Sequence, residues 1–464
     1  VLTCRYPAKE ALIVTLARYH QQALETLRDL VRIDTTNPPG NETAAAAYLA
    51  QKLGAAGIQA EVIESQPGRG NLVARLRGAG EAKPLLLMGH LDVVAADPTD
   101  WEEDPFAAVV RDGFLWGRGS TDNKQMIATA ATILLALKEG AVPLKRDVLF
   151  IGAADEEHGG RQGMGYLARE RRDLFDVAGA INEGGGGAIE TGGRLFYTCQ
   201  TGEKGVCRTV WTSRAPGGHG SAPRRDLSTA KLVRALARLG DGYVRPNLTE
   251  TMRRALTLIA QGQSSRLAAR VVRLLDQGKL DEALLAAGLA PEQPGRTRSL
   301  LFDSASITGL SAGDPASINV IPGQARAYVD GRILPGQTRE GYLQVLRNLA
   351  QEDVDIEVYA EQYSPGLEST SDTDLYHTIE RVVAQRCDGA QVVPWLCAGS
   401  TDAKHLVPLG VPVYGFIPTP PLPPGVTAPG AHAANERLWL DHLPFMFDTL
   451  FDVTLQFCRD GNLR

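Results

Sequence analysis

The sequence predicts an α/β protein built on a central, mostly parallel sheet, with a smaller α+β domain inserted into it. Three observations predict this. Short apolar runs alternate with helical stretches up to Thr201, the pattern then changes character, and it resumes near residue 371. Strand alternating with helix is the signature of parallel βαβ units. The chain has 464 residues, 44% hydrophobic and 22% charged, with 49 Gly and 27 Pro. That is enough for two or three domain-sized cores and excludes disorder, collagen and coiled coil as the main state. Lys plus Arg number 48 against 54 Asp plus Glu, a net charge of −6. A mildly acidic chain without a basic block is a poor match for nucleic acid or an anionic membrane. No apolar run approaches the roughly 18–20 residues of a membrane span.

Taken in order, Leu24, Leu27 and Val31 stand at helical spacing within 9–33, and Asn37-Pro38-Pro39-Gly40 stops that helix. An Ala-rich helix is predicted over 42–57, strands over 71–76, 84–94, 147–154 and 179–182, and helices near 123–139 and 163–171. After Thr201, 206–212 reads as an exposed edge strand and 227–239 as an amphipathic helix. The stretch 247–290 is helical, and its Arg-rich part, 252–273, reads as a solvated amphipathic face. Strands at 317–320, 325–332 and 354–359 with a helix near 338–350 complete this set. Patterns resume at 371–388, 391–396 and 411–416, the Pro-rich run 418–429 reads as a rigid loop, and a final helix is predicted through 436–458. The expected division is 1–202 and 362–464 as two parts of one catalytic domain, with 203–361 inserted between them.

The six cysteines (Cys4, Cys199, Cys207, Cys387, Cys397 and Cys458) form no CxxC pair, which argues against both a zinc finger and a disulfide-dense scaffold. Cys199 and Cys207 stand where a hairpin bridge would fit, and the expectation is that they do not form one. The chain begins at Val1, and Val1-Leu2-Thr3-Cys4 faintly resembles a lipoprotein cleavage site. A removed export signal therefore stays open beside the default cytoplasmic reading.

Polar chemistry gathers in five places. The run 85–94 is a buried strand that ends in His90 and Asp92, two residues apart and so on one face of a strand. A carboxylate beside an imidazole fixes the second ring nitrogen of a histidine offered to a metal; alone, the pair reads more readily as a satisfied core histidine. Gly117-Arg118-Gly119-Ser120-Thr121-Asp122-Asn123-Lys124 puts an acid in a glycine-rich turn before a helix but lacks the pattern of a phosphate loop. Asp122 as a plain helix N-cap is the alternative there. Asp155-Glu156-Glu157-His158 follows an apolar strand, and three adjacent acids need a cation or a shared proton to relieve their repulsion. Glu183 ends another strand before glycines, and His432 stands at the expected head of the last helix. Acids and histidines at the carboxyl ends of parallel strands converge on one crevice. Two His, a bridging carboxylate and two further acids suit two divalent ions of zinc type, which leaves one acid over as a general base.

The segments His90-Leu91-Asp92-Val93-Val94, Trp101, Asp104-Pro105-Phe106, Gly117-Arg118-Gly119, Asp122-Asn123-Lys124 and Asp155-Glu156-Glu157 resemble the di-zinc metallopeptidases. That family includes glutamate carboxypeptidase, carboxypeptidase S, aminoacylase-1, carnosinase, acetylornithine deacetylase and succinyl-diaminopimelate desuccinylase. The resemblance implies a zinc-peptidase-like catalytic domain with an inserted lid that can also form a homodimer. It implies that His90, Asp122 and Glu183 hold one zinc and Asp122, Glu157 and His432 the other, Asp122 bridging, with Co²⁺ or Mn²⁺ as alternative ions. Asp92 would clamp His90, Glu156 would be the general base and later proton donor, and the Asp122–Asn123 peptide would be cis. In the lid, the 217–223 segment carries His219, implied to stabilise the oxyanion, while Asn319 and Arg332 would grip a substrate carboxylate. Gly399, Ser400 and Thr401 would line the substrate, and Lys404 stands near where many relatives carry Arg. Read without the resemblance, His219 is a surface turn and Arg332 a surface ion-pair partner.

The implied activity is metal-dependent cleavage of a peptide or N-acyl amide bond next to a C-terminal amino acid with a free carboxylate. A carboxypeptidase or dipeptidase is the first reading. An N-acyl-amino-acid or biosynthetic deacylase is the alternative within the family, and a catalytically silent binding relative the alternative outside it. His20, His377 and His442 are expected to be packing or surface residues, and His158 to stand beside the ligands. His405 has no assignment.

Overall fold

The computed structural model describes residues 10–222, 224–289 and 296–460, so Val1-Leu2-Thr3-Cys4 and Pro223 lie outside the described residues. The chain divides into two units, one drawn from Val1–Thr201, Ser369–Pro394 and Thr401–Arg464, the other from Gly202–Glu368 and Trp395–Ser400. No helix among the described residues is long and apolar enough to cross a membrane.

In the first unit, strands β1 (Gln59–Glu64), β2 (Gly70–Leu76), β3 (Ala82–His90), β4 (Arg146–Ala153), β5 (Gly179–Asn182) and β6 (Arg194–Glu203) form one sheet with the short strand Val413–Gly415. Its order runs β1-β2-β4-β3-β5, then Val413–Gly415, then β6. The central strands β4, β3, β5 and Val413–Gly415 are parallel to one another, while β1, β2 and β6 join antiparallel. Both faces are covered, so the central strands read as unbroken apolar runs. Leu85 and Leu87 of β3 point into one core with helices α1 (Glu10–Arg32), α2 (Glu42–Ala55) and α3 (Lys124–Glu139). Leu86 and Met88, one residue out of phase, point into the other with Met164, Leu167 and Leu406. Helix α3 is buried from Lys124 to Leu137, which explains why its sequence is apolar all round. Lys124 is tolerated there because its ammonium donates to the carbonyls of Leu30 (2.9 Å) and Ile33 (2.8 Å) at the end of α1.

Two predicted elements change here. Strand β3 stops at His90, so Asp92 lies in the turn beyond it rather than in the strand. The last helix begins only at His442, and Arg437–Trp439 is instead a strand on Phe114–Trp116. Pro444 gives the reason, since a proline is accepted in a first helical turn but cannot donate the hydrogen bond that a helix running on from residue 436 requires. His432 therefore sits in a turn with φ +65°, well before the helix.

In the second unit, β7 (Gly205–Arg214), β9 (Tyr243–Pro246), β10 (Phe302–Ala312), β12 (Gln324–Ile333) and β13 (Val354–Ser364) make an antiparallel sheet in the order β9-β10-β12-β7-β13. Strands β8 (Gly218–His219) and β11 (Val320–Ile321) pair separately. Strand β7 is not an edge: it lies between β12 and β13, with Cys207 and Trp211 in a core that includes Leu232 and Leu346. Both partners come more than a hundred residues later in the chain, so local pattern could not reveal them. The strand predicted at 317–320 is a 3₁₀ turn (Pro315–Ser317) followed by the two residues of β11. Asp314 caps that turn through the amide of Ala316, and β10, before it, was not predicted at all. Helices Glu250–Gln263 and Ser265–Asp276 begin on Thr249 and Ser264, whose hydroxyls accept from Met252 and Leu267 amides. Cys199 and Cys207 are both buried, free thiols.

Candidate active site

Three adjacent parallel strands deliver the polar groups. His90 is the last residue of β3, the acids 155–157 follow β4, and Glu183 follows β5. The pairs His90↔Ala153 and Leu87↔Ile181 keep these ends level. Asp122 arrives from the turn before α3, where the Asp122–Asn123 peptide is cis, as expected. Asn123 Nδ2 donates to Glu183 Oε2 at 2.9 Å, which orients that carboxylate. Gly89 is required beneath it, because a Cβ there would collide with Asn123 Oδ1.

Two groups of ligand-type atoms result, His90–Asp122–Glu183 and Asp122–Glu157–His432, each within 4.8 Å. His90 Nε2 lies 3.0 Å from Asp122 Oδ1 and 3.3 Å from Glu183 Oε2. His432 Nε2 lies 3.2 Å from Asp122 Oδ2 and 3.0 Å from Glu157 Oε2. Each oxygen of Asp122 thus faces one histidine. The donor chemistry fits two divalent ions. Burial alone would lower the His90 imidazole, yet Glu183, Asp122 and Asp92 raise it well above the usual histidine range. Hydrogen bonds to Asp122 and Glu157 push His432 up to about 10. Burial raises the Glu183 carboxyl; it also opposes the charge on Asp122, which His432 and His90 nevertheless hold far below the usual range. Imidazoles driven towards the cationic form are what a cluster of acids does when protons alone neutralise it. Divalent cations relieve the same repulsion with neutral imidazoles.

Asp92 has a wider role than clamping one ring. His90 Nδ1 meets its backbone carbonyl at 3.0 Å and its carboxylate only at 3.5 Å. That carboxylate accepts the amides of Glu156 and Glu157, both at 3.1 Å, and Asn37 Nδ2 at 2.8 Å. Of the three consecutive acids, Asp155 turns away at φ +69° and binds Arg69 Nη2 at 2.9 Å, and that guanidinium also binds Glu42 at 2.8 Å. Glu156 stands beside the cluster with Lys404 Nζ 3.6 Å away. Burial lifts its carboxyl well above the usual range, against the pull of Lys404.

In the second unit His219 is exposed, with Nδ1 2.8 Å from Ser221 Oγ. The pairing of β8 with β11 brings it next to Asn319, whose carbonyl accepts from Gly220 N at 2.7 Å. Arg332, on β12, forks onto Asp330 through Nε (2.7 Å) and Nη2 (3.2 Å). Gly399 donates to Cys397 Sγ at 3.3 Å, and Ser400 Oγ lies 3.4 Å from Glu203. Thr401 belongs to the first unit, where Asn182 Nδ2, next to Glu183, donates to its hydroxyl at 3.2 Å. His158 is exposed and makes no part of either group. His405 meets the carbonyl of Gly159 at 3.0 Å, and burial lowers it to about 4. Sequence reasoning missed Asn37, Arg69 and Asn123. Asn37 had registered only as part of a helix stop, and Arg69 carried no signal at all.

Residues 86–456 match the family described as Peptidase family M20/M25/M40. A Xenopus tropicalis protein named N-fatty-acyl-amino acid synthase/hydrolase PM20D1 is 28% identical over 94% of this chain and 86% of its own length. A Dictyostelium discoideum protein named probable carboxypeptidase S-like 2 is 26% identical over 75% of this chain and 67% of its own. The M20 family metallo-carboxypeptidase Sso-CP2 from Sulfolobus solfataricus shares the fold with a TM-score of 0.68 at 19% identity, covering 94% of this chain and 98% of that one. With the family matched across most of the chain and both groups of acids and histidines inside that span, the protein is a hydrolase belonging to Peptidase family M20/M25/M40.

Proposed function

We propose that the chain hydrolyses an amide bond whose amine half is an amino acid with a free carboxylate. One observation carries this reading: two His/carboxylate groups share Asp122 while Glu156, an acid that neither group uses, stands beside them. His90, Asp122 and Glu183 would hold one divalent ion and Asp122, Glu157 and His432 the other, with Zn²⁺ the best match to the donors and Co²⁺ or Mn²⁺ close behind. When bound, such ions supply Lewis acidity and make a water nucleophilic near neutral pH. Glu156 takes the proton of the attacking water as the C–O bond forms and returns it to the amine nitrogen as the C–N bond breaks.

In the second unit, Arg332 is the proposed grip for the substrate carboxylate, since a planar fork matches that group and its Nη1 lies outside the Asp330 pair. Asn319 assists it, His219 stabilises the oxyanion, and Gly399, Ser400 and Thr401 line the substrate. The likeness to a protein named for N-fatty-acyl amino acids, over nearly the whole chain, favours N-acyl amino acids over dipeptides. A homodimer formed through 203–361 belongs to the same proposal, and light scattering on the eluting protein tests it.

The experiment is product analysis by mass spectrometry on a mixed pool of dipeptides and N-acyl amino acids, each with a free or amidated C-terminus. Zn²⁺ is supplied, with Glu156→Ala as control. Cleavage limited to free-carboxylate substrates is expected, and equal cleavage of the amidated forms overturns the carboxylate assignment.

A further inference from the structure

His432 poses a positioning problem. Its side chain is 55% exposed, so packing around the ring does not place it, and its backbone lies in the left-handed region. Yet its Nε2 sits 3.2 Å from Asp122 Oδ2, a residue more than three hundred positions earlier in the chain. The two backbones must therefore be fastened to each other somewhere else.

They are fastened on one side chain. Glu436 is fully buried, and every acceptor direction of its carboxylate is taken by the turn that carries Asp122. Oε2 accepts from Arg118 Nη1 at 2.8 Å and from the Gly119 amide at 3.0 Å. Oε1 accepts from the Thr121 amide at 2.7 Å and the Thr121 hydroxyl at 2.8 Å. The Glu436 carbonyl adds the Gly117 amide at 3.0 Å. Arg118 then returns to the other loop, donating to the Ala433 carbonyl at 3.3 Å, with its guanidinium over the Trp101 ring. The anchor grips the residue directly before Asp122 twice, and it grips the residue directly after His432 once.

A buried carboxylate is costly unless its hydrogen bonds are filled, and here four donors from one turn fill them. We propose that Glu436 is a positioning residue that fixes the separation of His432 from Asp122, and so builds the second of the two ion sites. This rests on the two-ion reading above. Glutamine is the informative replacement. It keeps the shape but offers one acceptor oxygen, so its amide NH₂ faces two of the four donors and one side of the turn is pushed away.

The test is a Co²⁺ titration against a competing chelator, followed by absorption and by metal analysis, on the wild type, Glu436→Gln, His432→Ala and Thr121→Val. The wild type takes two ions. Glu436→Gln, native by circular dichroism, keeps one and binds the other about 10–100-fold more weakly, with the same absorption band lost as in His432→Ala. Thr121→Val, which deletes a single donor, shows a smaller loss confined to that ion, and Thr121→Ser restores it. Two ions bound as tightly as in the wild type by folded Glu436→Gln overturn the inference, as does equal weakening of both. If Glu436→Gln does not fold, wild-type binding by Thr121→Val overturns it. A wild type that takes fewer than two ions overturns the two-ion reading itself, and the inference with it.

Discussion

The strand-end cluster of the first unit and the β8–β11 ribbon of the second hold their polar residues in opposite ways. In the cluster several acids are themselves held: Asp92 by Asn37 and two amides, Glu183 by Asn123, Asp155 by Arg69. On the ribbon, His219 is exposed and among the described residues its ring hydrogen-bonds only with Ser221, and Asn319 is exposed as well. Groups that must meet ions or move protons tolerate little displacement, and redundant hydrogen bonds supply that precision. Under the roles proposed above, His219 and Asn319 instead meet a substrate from an exposed, short strand pair.

The contrast predicts a ladder of effects. Glu156→Ala should cut turnover about 10²–10⁴-fold, the range of general acid–base catalysis, with both ions retained by metal analysis. Unchanged kcat would remove Glu156 from the mechanism and break the contrast at its rigid end. His219→Ala should lower kcat about 10²-fold, as loss of one oxyanion donor does, with Tm unmoved because the residue is exposed; a large fall in Tm would mean that the ribbon is as tightly built as the cluster. Arg332→Met should raise KM about tenfold or more for free-carboxylate substrates, the worth of a charge-assisted pair; an unchanged KM would remove Arg332 from the carboxylate grip. Arg69→Met should cost about 3–5 kcal/mol in chemical denaturation, the expected penalty for stranding the buried Asp155 and Glu42; a loss below about 1 kcal/mol would show that the scaffold behind Asp92 is looser than drawn.

The smallest effect lies in the second unit. Lys204 is buried, with Nζ donating to the carbonyls of Ser299 and Phe302, and burial lowers its ammonium from 10.5 to about 8. The folded state sheds this proton before the unfolded state does, so the cost of the buried charge is fully present below pH 8 and gone above 10.5. Stability should therefore rise through that window by about 1–3 kcal/mol, and urea titrations of Lys204→Met should lose that rise.

How much of this was legible in the sequence follows from chain distance. His90, Asp122, the acids 155–157 and Glu183 stood out because each ends or follows an apolar strand or stands before a buried helix, a local pattern. The choice of Glu157 among the three acids came from the resemblance. The supports of these groups did not stand out. Arg69 meets Asp155 across 86 residues, and Glu436 meets Gly119 across 317. For the same reason β7 read as an edge when its partners were still far along the chain. The last helix was placed too early because Pro444 was not weighed against the apolar period around it. His432, read at the expected head of that helix, belongs instead to a turn.

Exposure separates the two histidines as sharply as chain position does. The His90 side chain is 1% exposed and the His432 side chain 55%. Under the two-ion reading, water and chelators reach the His432 position more readily than the His90 position, where Asp122 and Glu183 are 19% and 14% exposed. The two ions should then differ in lability, the outer one exchanging with isotope in solution while the inner one stays. A brief chelator wash followed by a second metal would thus give a protein carrying two different metals in a defined order.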